Sequence, residues 1–407
     1  MEKICFITTG YMPIPAVNGG AVETLVEDLI VQNEVYKKYD FELIGTYDEK
    51  AFKKSKKYKN TNFVYVKTSK LVAMLDKILY FILVSILKKD KKNSYKFIIK
   101  RIEYILKVSK ILKKNNYDKI IIENNPTLFL TLKLKNNYKK YEGKYYYHLH
   151  NEINKFYGCY KIMRECKSII CISNYIKKYV CDRLSISDDK TVLLKNCIDV
   201  ERFNKQISNE TKSGLMKKYG IENEDVIVLF TGRIVPEKGI LELIKAFKMC
   251  KSKNLKLMIV GGNFIGKPDK TNFEMQLLDE CKNIKDKIIF TGFINYDEIH
   301  KIYSLATIAV LPSIWEEPAG LTILEAEASG LPVITTRSGG IPEYIDDKCG
   351  LILNKDVNLI YNISKNIDEL VNDKKKIFLM KNNSIKYSKN YSLEKYYLNF
   401  VNLIKKI

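Results

Sequence analysis

Histidine is scarce in this 407-residue chain: His148, His150 and His300 are the whole supply, and Trp315 is the sole tryptophan. The nine cysteines, an odd number, run from Cys5 to Cys349 with no C-x-x-C pair and no Cys/His group at metal-ligand spacing. These shortages argue against a His-rich metal site, a zinc module and a disulfide framework. The cysteines read as small buried apolar residues of a reducing compartment. A secretory leader is also lacking, because Met1 to Thr8 is a short apolar run that ends in a turn and reads as a buried first strand. The apolar run Ile78 to Leu87 is ten residues long, too short for a bilayer span of about 20.

Acidic residues are thin in one place. The net charge is +22, yet residues 51–140 alone hold 24 basic and 5 acidic residues. The basic excess is therefore a local patch whose partner could be anionic lipid, nucleic acid or an acidic saccharide. A general lysine bias contributes, but it does not explain the asymmetry between the halves. The segment Leu71–Leu87, followed by Lys88, Lys89, Lys91 and Lys92, suits either a core helix or a helix lying in a membrane interface.

What is present is a rhythm of short apolar runs and amphipathic stretches. In the second half, strands are expected at Val226–Phe230, Lys256–Val260, Ile288–Phe290, Ile308–Leu311 and Val333–Thr335, with helices at Ile240–Lys248, Tyr296–Leu305 and Leu321–Ser329. The last of these stops at Gly330, which suits a left-handed cap, ahead of Pro332. Near-continuous apolar strands between helices mean a parallel sheet covered on both faces. In the first half, strands are expected at Ile4–Thr8, Phe41–Ile44, Phe63–Val66, Ile120–Ile122, Tyr145–His148, Ile169–Ile172 and Val192–Leu194. Helices are expected near 21–35, 71–87, 94–114, 126–134 and 173–183. The polar stretch Val192–Gly220 reads as a connection between domains, and Ser392–Ile407 as an amphipathic helix. The chain length suits two domains, and two doubly wound α/β sheets in tandem fit these signals.

Four places suit anion or sugar chemistry. Asn18-Gly19-Gly20-Ala21 opens the first helix, where bare backbone and free N–H groups could meet a phosphate; taken alone it reads as an ordinary glycine turn. Gly232-Arg233 and Lys238-Gly239 follow a strand, at the end where open α/β sheets bind ligands. A guanidinium fork and a lysine point charge suit a departing diphosphate. Between Pro312 and Gly330 the chain offers Glu317, then the amides of Ala319, Gly320 and Leu321 at a helix start, then Glu325. Two carboxylates also fit a glycosidase, but the basic loop suits an anionic leaving group. Finally, His148 and His150 share one side of a strand, one for the core and one to face a ligand.

Together these motifs resemble glycosyltransferase family 4, retaining enzymes of the GT-B fold. The specific part runs from Val226 to Glu343 and includes Gly232-Arg233, Lys238-Gly239, Glu317-Pro318-Ala319-Gly320 and Glu325, with the two glutamates eight apart. Looser likeness comes from Gly19-Gly20, Ser173-Asn174 and Asn196 to Asp199. The resemblance implies two Rossmann-like domains with a cleft between them: an acceptor domain over 1–198, a donor domain over 199–388, and a C-terminal helix over 389–407 returning to the first. It implies that Arg233 and Lys238 bind the donor diphosphate, that Gly19, Gly20, Gly232, Ala319, Gly320 and Leu321 line the donor, and that Glu325 holds its ribose. Glu317 would orient the sugar, and His150 would be the active-site histidine. No metal or other cofactor is implied.

The partners implied are a nucleotide-sugar donor, a saccharide or lipid-linked acceptor of cell-envelope polysaccharide synthesis, and an anionic membrane surface through 51–140. The place implied is the cytoplasm, at the inner face of the membrane. Two departures bear on the donor: Ala319 stands where the family usually has Phe, and Cys197 where it often has Gly. A GT-B epimerase or phosphorylase remains an alternative. So does a nucleic-acid-binding protein, although the sequence shows no RNP pattern, zinc module or helix-turn-helix and no nucleic-acid partner is expected.

Overall fold

The computed structural model describes residues 1–86, 96–262 and 271–406. They form two compact units: Met1–Lys195 with Tyr396–Ile407, and Asn196–Lys395. The divisions fall a few residues before the expected 198/199 border and a few after 388/389.

The first unit is built on seven parallel strands: β1 (Lys3–Ile7), β2 (Asp40–Thr46), β3 (Thr61–Val66), β4 (Lys119–Glu123), β5 (Tyr145–Leu149), β6 (Ile169–Cys171) and β7 (Thr191–Leu193). Their order is β3-β2-β1-β4-β5-β6-β7, so the chain reverses its direction of travel across the sheet between β1 and β4. Ile4 to Ile7 are completely buried, because a strand covered on both faces has no solvent side. The last helix, Leu393–Lys406, packs into this unit: Phe400 lies against Phe6 and Phe41, and the Tyr397 hydroxyl donates to Asn33 at 2.6 Å.

The second unit has six parallel strands: β8 (Val226–Thr231), β9 (Leu255–Val260), β10 (Ile288–Gly292), β11 (Ile308–Leu311), β12 (Val333–Thr336) and β13 (Gly350–Leu353), ordered β10-β9-β8-β11-β12-β13. The two-residue period of β8 divides the core. Ile227 and Leu229 join Ile323 and Leu324, while Val228 and Phe230 join Leu243, Ile244 and Ile363. Again the first strand sits in the interior of the sheet, with a switch point beside it. Both units are Rossmann-like, as expected.

Some expectations are corrected. Residues 192–220 are not a bare connection: Val200–Phe203 and Asn209–Tyr219 are helical, and Phe203 is buried edge-on against Tyr303. The second of these helices has no fully buried residue but packs Leu215, Met216 and Tyr219 against the core of this unit, between Ser208 at its start and Gly220 at its end. The helix expected at 296–305 is shorter, Ile299–Tyr303. Strand β13 and the helices Leu359–Asn372 and Lys374–Ser388 were not foreseen.

The helix Lys70–Phe81 is not a core helix. Asp76 is its one buried residue, and it accepts from the N–H groups of Ile99 and Lys100, capping the helix Ile98–Lys114 from outside. The lysine run 88–92 lies outside the described residues. Among those residues, no helix is long and apolar enough to cross a membrane.

Candidate active site

In the second unit the loop after β8 and the loop after β11 are pressed together, and glycine makes this possible. Gly239 has φ +68°, and a Cβ there would stand 1.8 Å from the carbonyl oxygen of Pro312. The carbonyl of Glu237 accepts from the N–H groups of Ile314 and Trp315, at 3.0 and 3.2 Å. With the loops so fixed, Lys238 Nζ reaches Glu317 at 2.5 Å and the Ser313 hydroxyl donates to the same carboxylate oxygen at 2.7 Å.

The Glu317 backbone is clamped from the other side. Gly339, at φ +52°, leaves no room for a Cβ, which would lie 2.3 Å from the Glu317 carbonyl oxygen. That oxygen accepts from Gly340 N–H at 2.7 Å, and the Ser338 hydroxyl holds the carbonyl of Ser313 at 2.7 Å. Arg233, two residues past β8, is exposed and has no ion pair or hydrogen bond from its side chain among the described residues. The unit therefore presents one committed cation, Lys238, and one uncommitted cation, Arg233, beyond the carboxyl ends of its central strands.

Glu325 lies on the helix Leu321–Ala328 and is buried rather than on the helix surface. Burial pushes its carboxyl up to about 7, against the Tyr303 hydroxyl bond that favours ionisation. Tyr303 donates to Glu325 at 2.8 Å and bonds Thr231, the last residue of β8, at 2.7 Å. Ala319, Gly320 and Leu321 form the start of this helix, where first-turn N–H groups have no intrahelical acceptor. Tyr303 was missed in the sequence because a tyrosine on a short helix reads as core, which it also is.

In the first unit, Gly19 and Gly20 have φ +74° and +108° and lead into the helix Ala21–Tyr36. Beneath them is an acid. Glu23 in the first turn accepts from the Thr9 hydroxyl at 2.7 Å, and a Cβ on Gly20 would meet its carboxylate at 2.4 Å. Burial raises the Glu23 carboxyl above the usual range.

Neither strand histidine is exposed. Both are buried and converge on Glu123 at the end of β4. His148 Nδ1 and His150 Nε2 each lie 3.2 Å from the same carboxylate oxygen, with the rings 4.1 Å apart. Burial works to raise the Glu123 carboxyl, but the two imidazoles, His148 first, outweigh it and hold it down to about 2. Burial, then His148, pushes His150 down to about 4. An ionised carboxylate only accepts, so Nε2 of His150 carries the proton and Nδ1 is left as an acceptor. That Nδ1 has no partner among the described residues. The ligand-type atoms of Glu123, His148 and His150 lie within 4.8 Å of one another and are of a kind that could hold a metal ion; their mutual hydrogen bonds satisfy the same atoms without one.

The two Rossmann-like sheets define the GT-B class of fold, and solved structures agree. HepE of Anabaena, in complex with UDP and glucose, superposes over 100% of both chains with TM-score 0.72 at 16% identity. Sequence models assign the family. "Glycosyl transferases group 1" matches residues 212–390 and "Glycosyltransferase Family 4" matches 75–202. The chain belongs to the family 4, group 1 glycosyltransferases. Putative glycosyltransferase YtcC of Bacillus subtilis is 26% identical over 95% of this chain and 87% of its own. A lipopolysaccharide 1,2-N-acetylglucosaminetransferase of Salmonella typhimurium is 28% identical over 56% of this chain and 57% of its own. Among the curated relatives, the aligned part ranges from 30% of the relative to 87% of it.

Proposed function

We propose that this protein transfers a hexose-type sugar, with retention of anomeric configuration, from a nucleotide-diphosphate donor to a saccharide or lipid-linked acceptor of envelope polysaccharide synthesis. The observation that carries the reading is the clamped Lys238–Glu317 pair with Arg233 uncommitted beside it. Arg233 and Lys238 stabilise the diphosphate as it leaves, by preorganised charge aimed where negative charge develops. The departing phosphate oxygen takes the proton of the attacking hydroxyl, so no protein nucleophile is needed. Glu317 orients the sugar hydroxyls, Glu325 accepts from the ribose, and His150 Nδ1 accepts from a sugar hydroxyl. Gly19 and Gly20 approach the phosphates. Neither a metal nor another cofactor is required for these roles. HepE, solved with UDP and glucose, supports the donor class, and the Salmonella relative supports the acceptor class.

The test is donor binding followed by thermal shift with UDP-, GDP- and dTDP-sugars. A ligand at 100 times its Kd stabilises the folded state by about 2.7 kcal/mol. One nucleotide class should shift the wild type and fail to shift Arg233→Ala; a shift retained in Arg233→Ala refutes the assignment. Product anomer analysis checks retention, and turnover without acceptor would favour an epimerase.

The same reading places the protein peripherally on an anionic membrane at the cytoplasmic face. Leu71, Met74, Ile78 and Phe81 recur at helical spacing along Lys70–Phe81, and all are exposed, Phe81 at 61%. Ile102 and Leu106 on the helix Ile98–Lys114 are exposed as well. Apolar side chains within a basic region are the combination that binds an interface. Co-sedimentation with liposomes should increase with anionic lipid and fall with salt, and Leu71→Asp with Phe81→Asp should abolish it. Binding indifferent to lipid charge and to these changes would remove the membrane from the proposal.

A further inference from the structure

Arg101, in the helix Ile98–Lys114 of the first unit, is 9% exposed and has no carboxylate partner among the described residues. Its Nη1 donates to the carbonyl of Thr9, and Nε and Nη2 donate to the Thr127 hydroxyl, Nε at 2.8 Å. Thr9 follows β1 and Thr127 follows β4. The guanidinium therefore lies across the carboxyl ends of the two strands between which the sheet order reverses, the place where open parallel sheets take ligands.

The surroundings are built around it. The Thr127 hydroxyl gives its own proton to Asn125 at 2.8 Å, so its lone pairs are left for Arg101. Gly10, at φ +72°, has no room for a Cβ, which would lie 2.9 Å from Nη1. The side chains acting on the guanidinium's charge are three phenols, Tyr11, Tyr104 and Tyr157, and none is a carboxylate. The ring of Tyr11 lies 4.8 Å from it, and Tyr11 and Tyr157 are half exposed.

Holding two loops together needs hydrogen bonds but not a charge, and a buried charge without a counter-ion is costly. Three of the five guanidinium donors are used, which leaves one N–H on each terminal nitrogen. Such a pair suits an oxyanion.

We propose that Arg101 is the anchor of an oxyanion site in the first unit that binds a phosphate group carried by the acceptor, with Tyr11 and Tyr157 flanking it. That the phosphate belongs to an acceptor rests on the transferase reading above; that the site binds phosphate does not.

The chain has six arginines, so a sample with 15N-labelled arginine gives a simple Nε–H spectrum. The protein used is Arg233→Ala/Lys238→Ala, in which the phosphate cations of the second unit are gone. Titrated with inorganic phosphate at constant ionic strength, one signal should shift and saturate, and it should be the signal that is missing from Arg101→Lys. If Arg101→Lys does not fold, the Arg101 signal is assigned by elimination, substituting Arg164, Arg183, Arg202 and Arg337 one at a time. A signal that does not move, or drifts without saturating as it would with chloride, overturns the proposal. Glucose 1-phosphate and farnesyl phosphate form the further arms: tighter binding of one shows whether a phosphorylated sugar or a lipid phosphate is the source. Saturation at Arg101 in this variant, with no transfer activity in the wild type, would defeat only the transferase reading. Donor binding by the wild type, with no saturation at Arg101, would defeat only this inference.

Discussion

Glu123 gives His150 its chemical character. The carboxylate takes the proton-bearing Nε2 of His150 and leaves Nδ1 to accept. Glu123 raises the His150 value while burial and His148 lower it. Glu123→Gln should therefore push the His150 protonation midpoint below its value of about 4 and relax its fixed tautomer. With three histidines in the chain, ring 15N spectra with single substitutions read both directly. Ring nitrogens unaltered by Glu123→Gln would reduce Glu123 to a structural residue. If His150 accepts from the donor sugar, kcat should fall by up to about 10²-fold with little change in KM, as expected for a misplaced catalytic group. The sequence singled out the His148–His150 pair but not Glu123, because an acid ending an apolar strand looks like a solvent-facing terminus. What partners two strand histidines is decided by the neighbouring strand, here β4 beside β5, and so by topology.

At the scale of elements, the loops after β8 and β11 behave as one piece. Gly239→Ala needs a left-handed alanine and drives its Cβ into the Pro312 carbonyl. A loss of at least about 2 kcal/mol is expected from backbone strain and the clash together, with loss of donor binding. Gly19→Ala is the control: it also has positive φ but nothing within 4 Å, so it should cost about 1 kcal/mol. Urea unfolding followed by far-UV circular dichroism, which reads both units, measures the two costs; equal costs for the two changes would show that the loop contact is dispensable. Strands β8 to β12 were legible because each is an apolar run bounded by polar or glycine residues. Strand β13, directly after Cys349, was missed although β11 and β12 are no longer than it, and the helices Leu359–Asn372 and Lys374–Ser388 carry their apolar residues among many lysines and asparagines. The helix Lys70–Phe81 was ambiguous for the opposite reason: its apolar content suited a core, and only the structure shows that content on the surface.

At the scale of the whole molecule, buried acids set opposing responses to pH. Glu327, completely buried on the helix Leu321–Ala328, has no hydrogen-bond partner for either oxygen among the described residues. Burial first, and Asp346 second, push its carboxyl up to about 9 from an ordinary 4.5. The folded state then binds the proton that the unfolded state has released, so this group costs stability as pH rises from 4.5 towards 9. Glu325, raised to about 7, acts in the same direction over a shorter range. In the first unit, His150 at about 4 and Glu123 at about 2 act oppositely, as their folded values lie below the ordinary ones; they cost stability as pH falls from 6.5 towards 2. From these four groups, maximum stability is expected near pH 4.5, where the gain from Glu123 ends and the costs of Glu327 and Glu325 begin, with the decline towards alkaline pH seated in the second unit. Between pH 6 and 8 the Glu327 contribution is roughly 1–3 kcal/mol, since one pKa unit corresponds to about 1.4 kcal/mol. Glu327→Gln, which resembles the protonated acid in shape, should flatten that decline without altering the acid limb. Urea midpoints at pH 6 and 8, read through Trp315, test this directly. A variant whose midpoint falls as steeply as the wild type's would show that Glu327 ionises at no cost, and the alkaline decline would then have to come from another group.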